Sequence, residues 1–191
     1  MLIVFEGIDG TGKSTQVDLL AEALRSRGHE VITSKEPTDG PHGTRLRQSA
    51  ETGRLSPQEE LDLFHLDRKE HVETLIKPAL ARGAYVILDR YFFSTMAYQG
   101  VRGFNPLEIR KTNEEFAPLP DLVFILELDL DTALRRIGVR DGAANEFEQR
   151  DSLQKCHDVF ASLADPFIRR IDASKSPETV HSLILSELPS T

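Results

Sequence analysis

Cysteine is nearly missing: the only one, Cys156, can form no internal disulfide and has no partner cysteines for a metal site. That agrees with a reducing compartment. Long apolar runs are missing as well, since none approaches the ~18 residues needed to span a bilayer. The opening MLIVFEG lacks the basic start, extended apolar stretch and small-residue cleavage site of a secretory signal. A cytoplasmic protein with no membrane partner is expected. Positive charge is in deficit, with 23 Lys and Arg against 31 Asp and Glu, and the net charge of −8 argues against extended nucleic acid as a partner. Neither an internal repeat nor a linker interrupts the chain. With 191 residues, 39% of them hydrophobic and 28% charged, one globular domain over 1–191 is expected.

What is present is an alternation of apolar strands and amphipathic helices, the pattern of a parallel sheet covered on both faces. Strands are predicted at 2–6, 31–35, 84–89, 122–128 and 167–172. They give an α/β fold of three layers around five strands. Helices are predicted at about 13–27, closed by Gly28, near 94–101 and 106–116, from 131, and at 150–164 and 177–188. Ser56, Pro57, Glu59 and Glu60 form a strong helix start, with a cap, a proline at the first position and acids in the first turn, for a long helix reaching about Ala81. The stretch Glu36 to Gly43 reads as loop, with a short helix after it, because of Pro37 and Pro41. Gly138 to Gln149 (GVRDGAANEFEQ) has two glycines and little apolar periodicity, and reads as a mobile lid over 138–149.

Gly7, Ile8, Asp9, Gly10, Thr11, Gly12, Lys13 and Ser14 match GxxxxGK[ST] between an apolar strand and a helix that opens with Lys13, Ser14 and Thr15. Glycines let backbone N–H groups turn inward around phosphate oxygens, and the helix N-terminus adds positive potential. Lys13 is placed to reach the β- and γ-phosphates of ATP, and Ser14 to ligate Mg²⁺. Asp89 ends the third strand and Arg90 follows it, at the carboxyl end where ligands bind in open α/β sheets. A carboxylate there can hold a Mg²⁺-bound water, and a guanidinium fork can grip a phosphate. Alone, the same triplet Asp89-Arg90-Tyr91 also suits an ion pair that caps the sheet edge.

Asp89-Arg90-Tyr91, the segment Ser94-Thr95-Met96-Ala97-Tyr98-Gln99-Gly100 and the FEGIDGTGKST start together resemble the thymidylate kinase family, over nearly the whole chain. Glu36-Pro37 after the second strand, Phe64 with Arg68 on the long helix, and the IDAS segment at 171–174 extend the resemblance. Phe64 and Arg68 are four apart and share a helix face, offering a ring to stack on a base and a fork to bond a carbonyl. The resemblance implies the P-loop kinase fold and makes that base thymine, with Glu36, Thr95 and Gln99 also on the substrate side. It implies that the Tyr98 ring lies against the 2′ side of the sugar, that Asp9 accepts a hydrogen bond from the 3′-hydroxyl, and that Arg47 binds the acceptor phosphate. It further implies ATP and Mg²⁺ use, the reaction ATP + dTMP → ADP + dTDP for dTTP synthesis, and a homodimer paired through long helices.

Several residues depart from the family pattern. Many relatives read EPGGT where this chain has EPTDGP, with Lys35 in place of a common arginine, and Glu146 stands where a second lid arginine is frequent. One group of the family carries a P-loop arginine at the position of Gly10, and the other supplies it from the lid. This chain resembles the second type. Arg140 then becomes the candidate for charge neutralisation at the transferred phosphoryl, and Arg136, one turn earlier, for flanking the adenine. A kinase for another nucleoside or monophosphate, and a non-catalytic nucleotide-binding module, are the competing readings.

Overall fold

A computed structural model describes residues 1–141 and 146–189, with side chains throughout except at 51, 139–141 and 146–149. Strands β1 (Leu2–Glu6), β2 (Val31–Lys35), β3 (Tyr85–Asp89), β4 (Leu122–Glu127) and β5 (Ile168–Asp172) form one parallel sheet in the order β2-β3-β1-β4-β5. The central strands are apolar on both faces because both are covered. On one face α1 (Lys13–Ser26) and α9 (Pro177–Ser186) pack against Phe5, Ile87, Phe124 and Ile171. On the other, Val4, Val86, Leu88 and Val123 meet the long-helix residues Val72 and Ile76 and the aromatic run Tyr91-Phe92-Phe93.

The connection leaving β1 crosses toward β2, whereas the one leaving β3 crosses back over β1 toward β4. Ligands bind at such a switch point, outside the carboxyl ends of the strands. Phe5 lies in register with Asp89, so the loop after β1 and the loop after β3 are neighbours by construction.

The segment 36–43 is not loop throughout: α2 runs over Pro41–Thr52 with Gly40 as its N-cap. Pro41 starts this helix because a first-turn residue has no intrahelical N–H bond to lose. It is a helix of twelve residues, longer than expected. Ser56 caps α3 (Pro57–His71) in a reciprocal arrangement with Glu59, as the sequence predicts. The long helix continues through a π turn, Val72–Ile76, into α4 (Lys77–Ala81). In the π turn the Lys77 N–H reaches back five residues to Val72 O, just ahead of Pro78, which has no N–H to offer. Helices α5 (Phe92–Val101) and α6 (Pro106–Glu114) follow β3.

The stretch 138–149 is not a single irregular segment. Helix α7 (Leu130–Asp141) enters it from one side and α8 (Glu146–Ser162) from the other, consistent with the helix-forming residues Glu146 to Gln149. Residues 142–145, within the expected lid, lie outside the described residues. Among the described residues no helix is long and apolar enough to cross a membrane.

The turn between β2 and α2 is clamped at both ends. The Asp67 carboxylate accepts from Thr38 N at 2.8 Å and from Thr38 Oγ1 at 2.6 Å. A Cβ at Gly43 would stand 2.1 Å from the Thr38 carbonyl oxygen. Gly43→Ala therefore pushes α2 away from this turn, and we expect a loss of about 1–3 kcal/mol in stability, read as a lower urea midpoint with an unchanged slope.

Candidate active site

The loop between β1 and α1 is wrapped around its own lysine. Gly7, Gly10 and Gly12 take φ values of 132°, 83° and 90°, a region open to glycine. Lys13 Nζ donates to Gly7 O at 3.1 Å and to Ile8 O at 2.9 Å, and Thr11 Oγ1 donates to Ile8 O at 3.0 Å. Burial, with the Arg90 charge next in weight, brings the Lys13 ammonium down to about 8, against the pull of Asp9, Asp89 and Glu6. Gly12 caps α1 without a side-chain hydrogen bond, which leaves the first N–H groups of that helix to face an anion. Ser14 donates through Oγ to Asp89 Oδ2, joining the helix start to the end of β3. Thr15 is exposed on the first turn of α1. Arg136, on α7, donates to Gly10 O at 3.1 Å, beside the same loop.

Arg90 stands between this loop and a cavity of about 360 Å³. It holds a left-handed φ of 72°, strained for a residue with a side chain. Its Nη1 donates to Ser94 Oγ at 2.7 Å and Gly7 O at 3.4 Å; its Nη2 donates to Asp9 Oδ1 at 2.6 Å and Tyr98 Oη at 3.3 Å. Nε–H has no partner among the described residues. Tyr98 Oη donates to Asp9 Oδ2 at 3.0 Å, and the Arg90 guanidinium lies 5.0 Å from the Tyr98 ring centroid. Burial works against the Asp9 charge, but Arg90 and Lys13 outweigh it and lower the carboxyl below its ordinary range. The Asp9 side chain stays 44% exposed, so its oxygens can still accept from a ligand.

The far wall of the cavity comes from α3 and α5 and contains Phe64, Arg68, Thr95 and Gln99. Arg68 is 1% exposed. Its Nε and Nη2 grip Glu36 Oε2 at 2.7 and 2.6 Å, Nη2 also donates to Thr95 Oγ1 at 2.9 Å, and Nη1 donates to Asn113 Oδ1 at 2.6 Å. Three of the five N–H groups of the guanidinium are thus hydrogen-bonded, and Nη2 is also ion-paired with Glu36. The second hydrogen of Nη1 has no partner among the described residues. Glu36 lines the cavity with both oxygens already held, Oε2 by Arg68 and Oε1 by His71 at 2.9 Å. Arg47 lines the other side from α2, with Nη1 on Pro37 O at 2.9 Å and Nη2 3.0 Å from Asp39. Gln99 is fully buried; its Nε2 donates to Glu60 Oε1 at 2.9 Å, and its Oε1 has no partner among the described residues.

A phosphate cradle and a base-sized cavity therefore share Arg90 as a common wall. The family model for thymidylate kinase matches residues 5–184 of the chain. The chain belongs to the thymidylate kinase family. A protein of Akkermansia muciniphila named thymidylate kinase is 54% identical over 187 residues, covering 98% of this chain and 90% of that one. Proteins of the same name from Xanthomonas campestris pv. campestris strain B100 and Xanthomonas euvesicatoria pv. vesicatoria are 51% and 50% identical over 192 residues, covering 98% of this chain and 84% of each.

Every residue expected at a thymidylate kinase site lies around the cradle or the cavity, apart from Arg140, whose side chain falls outside the described residues. Four participants carry no motif. His71 and Asn113 act behind residues that do, holding Glu36 and Arg68, whereas Glu60 lines the cavity while holding Gln99. Glu6 alone had a readable signal, as the one charge in the apolar run Leu2 to Glu6. It accepts from Tyr91 N at 2.8 Å, Ser94 N at 3.1 Å and Ser94 Oγ at 2.5 Å, fixing the start of α5 and hence the hydroxyl that receives Arg90.

Complete burial raises the Glu6 carboxyl to about 7, although Arg90, Ser94 and Tyr91 favour its ionised form. The folded chain thus binds this proton more tightly than the unfolded chain. The stabilisation is full below about pH 4.5 and lost as pH rises through about 7. Glu6→Gln removes this dependence. Between pH 5 and pH 8 its urea-unfolding free energy should gain on the parent by about 1–3 kcal/mol, and parallel curves for the two proteins would contradict it.

Proposed function

We propose that this chain is an ATP-dependent nucleoside monophosphate kinase that transfers the γ-phosphoryl group to dTMP, giving dTDP and ADP for dTTP synthesis in the cytoplasm. The choice of acceptor rests on one observation: Arg68 and Gln99 share one wall of the cavity, the first carrying donors only and the second a buried, unpartnered acceptor at Oε1. Thymine presents an acceptor at O4 and a donor at N3–H, whereas cytosine presents a donor at N4 and an acceptor at N3. Only the first pattern matches. Phe64 supplies a ring for stacking, and Thr95 fixes Arg68. Tyr98 closes the sugar's 2′ side and Asp9 accepts from the 3′-hydroxyl.

The acceptor phosphate then falls near Arg90 and Arg47, and the cradle of residues 7–15 holds the triphosphate. In the reaction the bond from the γ-phosphorus to the bridging oxygen breaks while an acceptor phosphate oxygen bonds to that phosphorus. The acceptor is already anionic, so no strong general base is required, and the rate comes from positioning and charge. Lys13 follows the β,γ oxygens, and Arg90 holds the two substrates in line.

Ser14 Oγ and the Asp89 carboxylate are hard oxygen donors already in contact, at the exposed start of α1. That combination suits Mg²⁺, which keeps several waters and binds through a few protein oxygens and substrate phosphates. When bound, Mg²⁺ neutralises charge on the phosphates; Ser14 would ligate it and Asp89 would orient its water.

Residues 138–149 serve as the lid that excludes water, with Arg140 supplying the charge that position 10 does not and Arg136 beside the adenine. The single domain pairs with a second copy through the long helix. Neither nucleic acid nor a membrane is a partner.

ADP release measured over a panel of monophosphates should show kcat/KM for dTMP above that for dCMP by ~10³ or more, since the wrong base leaves both Arg68 and Gln99 unpaired. A preference for dCMP or for uncharged thymidine would refute the acceptor assignment. Arg140→Ala should lower kcat by ~10³ with little change in dTMP affinity, and a tenfold loss or less would remove Arg140 from the transition state.

A further inference from the structure

Gln99 recognises a base correctly in only one of its two amide orientations, because turning it end for end exchanges acceptor for donor. We propose that Glu60 is the positioning residue that sets this orientation and thereby makes the site selective for thymine over cytosine. The inference rests on the acceptor reading given above.

Glu60 lies in the first turn of α3 and is 7% exposed. Its carboxylate takes Arg54 in a two-pronged contact, Nε to Oε2 and Nη2 to Oε1, each at 3.1 Å. Arg102 Nη1 donates to Oε2, and Arg102 Nη2 donates to Leu55 O at 2.9 Å. A carboxylate under two guanidinium groups offers acceptors alone, so only the NH₂ end of Gln99 can face it. Oε1 of Gln99 is then left as an acceptor, buried and unpartnered among the described residues, in a side chain that lines the cavity. In the turned orientation Oε1 would meet the Glu60 carboxylate, and NH₂ would meet the base and match N3 of cytosine. Glu60, which lines the same cavity, imposes a penalty on that state through its contact with Gln99. The two arginines keep Glu60 in place, Arg54 from the loop before α3 and Arg102 from the end of α5.

The decisive measurement is kcat/KM for dTMP and for dCMP in the parent, Glu60→Gln, Gln99→Ala and the double variant, by coupled ADP release. Glu60→Gln should lower the dTMP-to-dCMP ratio about tenfold or more, with the KM for ATP unchanged within about twofold. In the Gln99→Ala background the same substitution should change the ratio less than about twofold, because the residue through which it acts is gone. An undiminished ratio in Glu60→Gln, or an equal fall in both backgrounds, would overturn the proposal. A parent enzyme without preference for dTMP would instead sink the acceptor reading, and that appears before any variant is made. If circular dichroism shows Glu60→Gln unfolded, Glu60→Asp, whose carboxylate stops one methylene short of Gln99, should show the same fall. Loss of fold in both would make Glu60 a structural ion-pair centre only.

Discussion

The parallel pairing of β1 with β3 is the constraint on which the site depends. Register places Phe5 beside Asp89, so the two chain segments leaving those strands must diverge from one point. One becomes the phosphate cradle, the other the Arg90 turn. Ser14 meets Asp89, and Arg90 reaches both Gly7 and Asp9, without either segment having to be long or flexible. A slip of one residue would turn the Asp89 side chain to the other face of the sheet and separate Ser14 from its partner. The apolar residues that fix register, Val4 and Ile3 against Leu88 and Ile87, are therefore as much part of the site as the charged ones.

Around that point the protein buries charge in two networks. Arg68 with Glu36, His71, Asn113 and Thr95 forms one; Arg90 with Asp9, Tyr98, Ser94 and Glu6 forms the other. Desolvating such groups works against stability, and a buried ion pair is often no better than apolar residues of the same volume. What the networks provide is fixed geometry. Arg68 is held by Glu36, Thr95 and Asn113 together, while Arg90, held in a left-handed backbone conformation, presents Nε–H from its turn. Interactions prepared before a substrate arrives need no reorganisation during reaction.

The fold was legible in the sequence wherever one requirement ruled a segment. β1 and β2 begin and end where apolar periodicity puts them, and the cradle follows its glycines. The start at Ser56 declares itself because capping chemistry is local. Pro41 was read as a breaker when it opens α2, since the same ring that disrupts a helix interior suits a first turn. The span 138–149 was read as one irregular stretch because two glycines obscured helix-forming residues on either side. At the site, direct participants stood out through charge and motif, whereas His71, Asn113 and Glu60 did not, and Glu6 showed only as a charge in an apolar run. Their roles are set by what they touch across 35 to 88 positions of sequence, and no spacing rule reports that.

Position 10 joins the catalytic proposal to packing. A Cβ at Gly10 would lie 2.8 Å from Ala133 O, and φ there is 83°, so α7 rests directly on the cradle with no room for a side chain between them. The same contact carries Arg136 onto Gly10 O. An arginine reaching the transferred phosphoryl from position 10 would have to lift α7 away, and with it the helix that leads into the proposed lid. The structure cannot have both. Tight seating of α7 on the cradle excludes a loop arginine, and α7 is the helix that runs on toward Arg140. The compensating charge is thus proposed from the helix whose packing forbids the alternative.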